Sequence, residues 1–280
     1  MKIAATVEEI RSAVKAWKKE GLSVGFVPTM GYLHEGHQSL MQKAVSENDR
    51  VVVSIFVNPM QFGPSDDLES YPRDLEKDAS LCEASGVDLI FHPEPKEMYH
   101  SDFSSFVDMH GLTESLCGKS RPAHFRGVCT VVTKLFNIVQ PDCAYFGQKD
   151  AQQLAVIQQM VRDLNLDVTV IGCPIIREAD GLAKSSRNSY LSADERKAAL
   201  VLSQALEVAK QLLANGEQNA AKIRNAISET IQAEPLAKVD YVELVDARTL
   251  QQVDSVERPV LVALAVYIGK TRLIDNFITE

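Results

Sequence analysis

Two histidines three residues apart, His34 and His37, stand in the stretch PTMGYLHEGH (28–37), directly behind the apolar run LSVGFV (22–27). At the start of a helix that spacing puts both rings on one face of the first turn, where unpaired backbone N–H groups and the helix dipole already favour an anion. Gly31 and Gly36 allow the backbone to approach a bound group closely. Three more segments carry similar chemistry. VNPMQFG (57–63) sets the amides of Asn58 and Gln61 after a second apolar run. FGQKDAQQ (146–153) sets Lys149, Asp150 and Gln153 after a third. GLAKSSRNSYLS (181–192) is a polar, cationic loop. Four strand-end segments rich in glycine, amide and cationic groups are expected to converge on one crevice, where an anion such as a phosphate is favoured.

Each segment has a plainer reading. His34 and His37 could be helix-capping residues, or half of a zinc site with no third ligand at a recognisable spacing. Lys149 and Asp150 could be a solvated ion pair, Asn58 and Gln61 the closure of a turn, and Ser185 and Ser186 helix caps in a surface loop. Gly269-Lys270-Thr271 lacks the first glycine of a phosphate loop, because position 264 is Leu, and is set aside.

The elements that must position these groups alternate along the chain. Thr6 with Glu9 reads as a capping box, Ile10, Val14 and Trp17 share one helical face, and Gly21 ends that helix. Strands are expected at 22–27, 51–57, 87–91, 143–147 and 167–172, and helices at 35–47, 74–85, 127–139 and 150–163. Nearly continuous apolar strands separated by helices imply a doubly wound parallel sheet with both faces covered, and ligands sit beyond its carboxyl ends. After about Arg177 the texture changes: two helices between Ala193 and Gln232 and strands at 239–247 and 258–269 read as a smaller α+β domain. The expected division is 1–176 and 177–280.

HEGH behind a first parallel strand resembles the His-x-Gly-His motif of the nucleotidyltransferase superfamily. The wider set PTMGYLHEGH, VNPMQFG, YPRD, RPAHFRGV, FGQKDAQQ and SSRNSYLS resembles the pantothenate synthetase family, in order along the whole chain. The resemblance implies a Rossmann-like α/β fold of the HxGH type and ATP-driven condensation of (R)-pantoate with β-alanine through a pantoyl-adenylate, giving AMP and pyrophosphate. It assigns catalysis to His34, His37, Lys149 and Arg187. Met30, Gly31, Tyr32, Leu33, Glu35, Gly36, Gly147, Gln148 and Ile176 would line the nucleotide, with Asp150 on the ribose, and Lys184, Ser185, Ser186 and Arg187 would close over the triphosphate. Asn58, Gln61, Gln153 and Met30 would hold pantoate, and β-alanine would enter near Gln61. Mg²⁺ would be held mainly by ATP phosphates with no protein ligand assigned. A homodimer is also implied, and the scattered cysteines point to a cytoplasmic protein. Where the family's loop usually reads Met-Ser-Ser-Arg, this chain has Lys184, which either faces solvent, the preferred expectation, or adds a phosphate contact.

Composition narrows the partners. The formal net charge is −9 with no block of Lys and Arg, which argues against nucleic acid or an anionic membrane surface. The five cysteines, 82, 117, 129, 143 and 173, are scattered without a CxxC pair, and are expected to be reduced, buried thiols. The N-terminus has no apolar leader core, and the longest apolar run, Val260 to Ile268, is too short to span a bilayer.

Overall fold

Residues 51–55 leave no polar side, so a strand made from them must be covered on both faces; in the computed structural model all five are buried inside a parallel sheet. The structure describes residues 1–64, 66–257 and 259–279. They form two compact units, Met1–His110, Arg121–Gln148 and Gln153–Pro174 in the first, and Gly111–Ser120, Lys149–Gln152 and Ile175–Glu280 in the second.

In chain order the elements are β1 (Lys2–Ala4), α1 (Val7–Lys19), β2 (Val24–Thr29), α2 (Glu35–Glu47), β3 (Arg50–Ile55), α3 (Leu75–Ala84), β4 (Leu89–Phe91), α4 (Pro95–Met98), α5 (Leu116–Ser120), α6 (His124–Val139), β5 (Cys143–Gly147), α7 (Ala151–Asp163) and β6 (Thr169–Cys173). There follow α8 (Ala193–Ala198), α9 (Val201–Ala214), α10 (Ala220–Gln232), β7 (Ala237–Asp246), β8 (Val260–Ile268) and β9 (Thr271–Ile278), with short 3-10 turns at Pro59–Gln61, Gln148–Asp150 and Ser186–Tyr190.

The first unit holds six parallel strands in the order β1-β4-β3-β2-β5-β6. From β2 the chain winds outward to β3 and β4 on one side, and β5 and β6 lie on the other, so the order reverses between β2 and β5. A crevice outside the carboxyl ends opens at such a reversal. The Thr6–Glu9 capping box forms as expected, with the Glu9 N–H donating to Thr6 Oγ1 and the Thr6 N–H to Glu9 Oε2. β1 was not foreseen; three residues are too few to register a period. The strand expected over 51–57 stops at Ile55, where the chain turns into the Pro59–Gln61 segment.

The second unit holds an antiparallel sheet, β7-β8-β9, against which α9 and α10 bury Leu202, Leu206, Ile223 and Ile227. Three helices, not two, fill Ala193 to Gln232. The extra break is slight, because Ala199 and Leu200 both keep right-handed helical backbone angles. Arg258, the first residue of the strand expected over 258–269, lies outside the described residues. β9 was missed altogether. Its signal was Gly269-Lys270 between two apolar stretches, a two-residue hairpin connection with Gly269 at φ +57°, set aside above as a defective phosphate loop.

Candidate active site

β2 ends at Thr29 and the chain reaches the start of α2 through a loop with two positive-φ residues, Gly31 at +86° and Tyr32 at +53°. Asp78, on α3 and only 1% exposed, fixes that loop, its two carboxylate oxygens accepting the N–H groups of Tyr32 at 2.8 Å and Leu33 at 2.6 Å. Burial pushes the Asp78 carboxyl above the usual carboxylate range although both N–H bonds pull it down. A side chain on Gly31 would meet Asp78 Oδ2 and Ile55 Cγ2, each 2.9 Å from its Cβ. Sequence reasoning missed Asp78. The available signal was an acidic residue four positions before Cys82 on the inner stripe of α3, a place normally apolar.

His34 is the N-cap of α2. Its Nδ1 accepts the Gly36 N–H at 3.1 Å, while His37 Nδ1 accepts the His34 N–H at 3.3 Å, and the two rings stand 4.2 Å apart between centroids. The capping reading is therefore correct as local structure, and it does not compete with the chemical one. An imidazole that accepts at Nδ1 carries its proton, when neutral, on Nε2, so both rings take the tautomer that donates from the outer nitrogen. Gly36 is required by close approach: a Cβ there would lie 2.8 Å from His34 Cε1. Glu35 is exposed, and Tyr32 carries Lys77 over its ring at 4.9 Å.

Beyond the end of β3, Asn58 caps the Pro59–Gln61 turn and is 1% exposed. Its amide donates to Gln61 Oε1 and to the Gly127 carbonyl, both at 3.1 Å, and its Oδ1 accepts from the Tyr99 hydroxyl at 2.8 Å. Gln61 Nε2 in turn donates to Met30 Sδ at 3.1 Å, so three residues expected at the pantoate site are joined. The Gln61 carbonyl is bound by His124 Nδ1 at 2.8 Å, and Arg121 pairs with Asp66 at 2.8 Å. Burial works to raise the Asp66 pKa, but Arg121 and the Gly63 N–H outweigh it and hold the carboxyl below the usual range. Arg121 and His124 belong to the RPAHFRGV motif, and what they do was not legible because their partners, the Asp66 carboxylate and the Gln61 main-chain carbonyl, lie 55 and 63 residues away. Gly147 ends β5, Gln148 follows it, and Gln153 is half-buried on the first turn of α7.

In the second unit, Lys149 Nζ lies 3.5 Å from Asp150, the ion pair of the plainer reading. Residues 176–184 form a hairpin: the Lys184 N–H donates to the Ile176 carbonyl at 2.9 Å, the Glu178 N–H to the Leu182 carbonyl at 2.8 Å, and Arg177 bridges Ala183. The hairpin delivers Ser185, which caps the Ser186–Tyr190 turn by accepting the Arg187 N–H at 3.3 Å, and Ser186, which is buried. The preference for Lys184 facing solvent is overturned. Its side chain is 15% exposed and its Nζ lies 2.9 Å from Glu178 Oε2, because the hairpin brings the carboxylate across from it.

All five cysteines are free. Cys82, Cys129 and Cys173 are buried as expected, whereas Cys117 and Cys143 are half-buried. Burial pushes the Cys82 and Cys129 thiols up to about 12, which makes them poor nucleophiles. Among the described residues no group of three or more His, Cys, Asp or Glu is gathered to hold a metal, and no helix is long and apolar enough to cross a membrane.

A six-stranded parallel α/β sheet with a His-x-Gly-His helix start beside its reversal point defines a nucleotidyltransferase-type protein. Comparison with known proteins is more specific. The model of the Pantoate-beta-alanine ligase family matches residues 2–278. A pantothenate synthetase of Enterococcus faecalis is 63% identical over 280 residues, covering 100% of this chain and 99% of that protein. The crystal structure of pantothenate synthetase from Thermus thermophilus superposes with a TM-score of 0.94 at 46% identity, over 99% of each chain. That of pantoate-beta-alanine ligase from Francisella tularensis, complexed with beta-gamma ATP and beta-alanine, superposes with 0.81 at 37% identity, over 99% of this chain and 97% of that one. The chain belongs to the pantoate–β-alanine ligase family.

Proposed function

We infer that the chain joins (R)-pantoate to β-alanine at the expense of ATP, and the whole-length family match carries this reading. The pantoate carboxylate attacks the α-phosphorus of ATP, the bond to the β-phosphate oxygen breaks and pyrophosphate leaves. The β-alanine amine then attacks the acyl carbon, AMP leaves with the electrons of the acyl–oxygen bond, and the amine loses a proton. Both partners in the first step are anionic, so the main demand on the protein is charge neutralisation and alignment.

In this reading, His34 and His37 donate from Nε2 to phosphate oxygens, and His37 meets the charge that builds as pyrophosphate departs. Support comes from the Nδ1 bonds that select this tautomer. Lys149 and Arg187 neutralise the same phosphates, Ser185 and Ser186 orient them, and Asp150 holds the ribose. Main-chain groups of Met30–Gly36, Gly147, Gln148 and Ile176 line the nucleotide. Asn58, Gln61 and Gln153 orient pantoate, and Gln61 also faces the incoming amine. Amides suit this task because they fix a neutral hydroxyl without neutralising the nucleophilic carboxylate. Mg²⁺ is proposed to arrive on the triphosphate, where it would supply further positive charge, and is assigned no protein ligand. Residues 1–176 are proposed as the ATP- and pantoate-binding domain and 177–280 as the domain bearing the serine–arginine loop, in a cytoplasmic homodimer. The test is AMP formation with single omissions. AMP is expected only when ATP, pantoate and β-alanine are all supplied. AMP without pantoate, or none from the complete mixture, would overturn the reading.

A further inference from the structure

β9 has no place in the site as read from the sequence, yet two adjacent residues on it hold the segments that carry the cations. Asp275 and Asn276 are 1% and 5% exposed, unusual burial for polar neighbours, and successive strand residues project to opposite faces. Asp275 grips Arg177 in a fork, at 2.6 and 2.9 Å, and Arg177 also donates to the Gly181 carbonyl at 3.0 Å. That fixes both strands of the 176–184 hairpin, and β9 also packs against the Ser186–Tyr190 turn. Asn276 Nδ2 donates to the Lys149 main-chain carbonyl at 2.8 Å. Asp275 Oδ1 accepts the Asn276 N–H at 2.8 Å, so the two grips are linked. Gln152 secures the other end of the Lys149 segment, donating to the carbonyls of Leu112 and Ser115, both at 2.8 Å.

The charges fit a phosphate role nearby. A bare carboxylate in this position would repel a triphosphate, but the bidentate guanidinium offsets Asp275. An amide on Lys149 adds no charge. We propose that Asp275 and Asn276 are positioning residues, holding Lys149 and the Ser185–Arg187 segment on one strand so that their cations meet the triphosphate in fixed register. The proposal rests on the reading of Lys149 and Arg187 as phosphate contacts.

The test is pantoate-dependent exchange of pyrophosphate into ATP, with KM values and melting temperatures, for Asn276→Ala, Lys149→Ala and the double variant. Asn276→Ala is expected to lose exchange by about tenfold to a hundredfold, the cost of a small misplacement, with KM for β-alanine unchanged. In the Lys149→Ala background the same substitution is expected to cost less than about twofold, within the scatter of additivity. A merely structural role would instead lower both backgrounds equally, and that result overturns the proposal. Unchanged exchange in Asn276→Ala also overturns it. Unchanged exchange in Lys149→Ala removes the underlying reading, whereas loss in Lys149→Ala with none in Asn276→Ala removes this proposal alone. Arg177→Lys, which leaves Asp275 a cationic partner, keeps the test open if Asn276→Ala does not fold. It is expected to raise KM for ATP and not for β-alanine, and equal changes in both overturn the Asp275 half.

Discussion

The rings of His34 and His37 are fixed by hydrogen bonds that span two and three residues, whereas the Lys149 carbonyl is held from 127 positions away and Arg177 from 98. The proposed function gives each region a phosphate role, but one is built by a local motif and the other by tertiary structure. A local device is vulnerable to its immediate neighbours. A device assembled from distant segments is vulnerable to residues with no chemistry of their own.

Substitutions can separate the two. His37→Ala is expected to keep the fold and to lose adenylation by about a hundredfold or more, the scale seen when one charge-stabilising donor is removed; near-normal pyrophosphate release would contradict the role given to it. Gly36→Ala comes next. Its new Cβ displaces the His34 ring, so adenylation is expected to fall by about a hundredfold. The lost cap and the gain in helix propensity are each about 1 kcal/mol and opposed, so the melting temperature should barely move.

Asp78→Asn is expected to cost about tenfold, because one loop N–H then faces an amide donor instead of an acceptor. The sign of its pH effect follows from the burial that raises the Asp78 pKa above its unfolded value of 3.8. The folded state binds this proton more tightly, so acidification through the region above 3.8 favours the fold at this residue while removing one acceptor from the loop. Between neutral pH and that region, Asp78→Asn should therefore lose more melting temperature than the unsubstituted chain, which should itself lose adenylation. Parallel melting curves would remove this account. Lys184→Met is the smallest expected effect. The Lys184–Glu178 pair is part-exposed and worth about 1 kcal/mol or less, and KM for ATP should stay unchanged. A tenfold rise would restore Lys184 as a phosphate contact.

What was legible in the sequence follows the same contrast. The capping box at Thr6, the parallel strands and the start of α2 at Glu35 were all readable, because each depends on residues close together in the chain. The Met30–Gln61–Asn58 chain was anticipated only as a set of candidates, since the bonds that join them depend on β2 and β3 lying side by side. Asp78, Asp275 and Asn276 were invisible as functional residues because each acts on a main-chain or charged partner far away. Lys184 was misjudged for that reason too: its partner Glu178 is six residues back, and only the hairpin brings them together.

In the proposed reaction an acyl-adenylate forms at these phosphates before any amine is needed. Exchange of labelled pyrophosphate into ATP, measured without β-alanine, tests it most directly. Exchange is expected when pantoate is present and none when it is left out. Exchange that ignores pantoate, or that requires β-alanine, would contradict this.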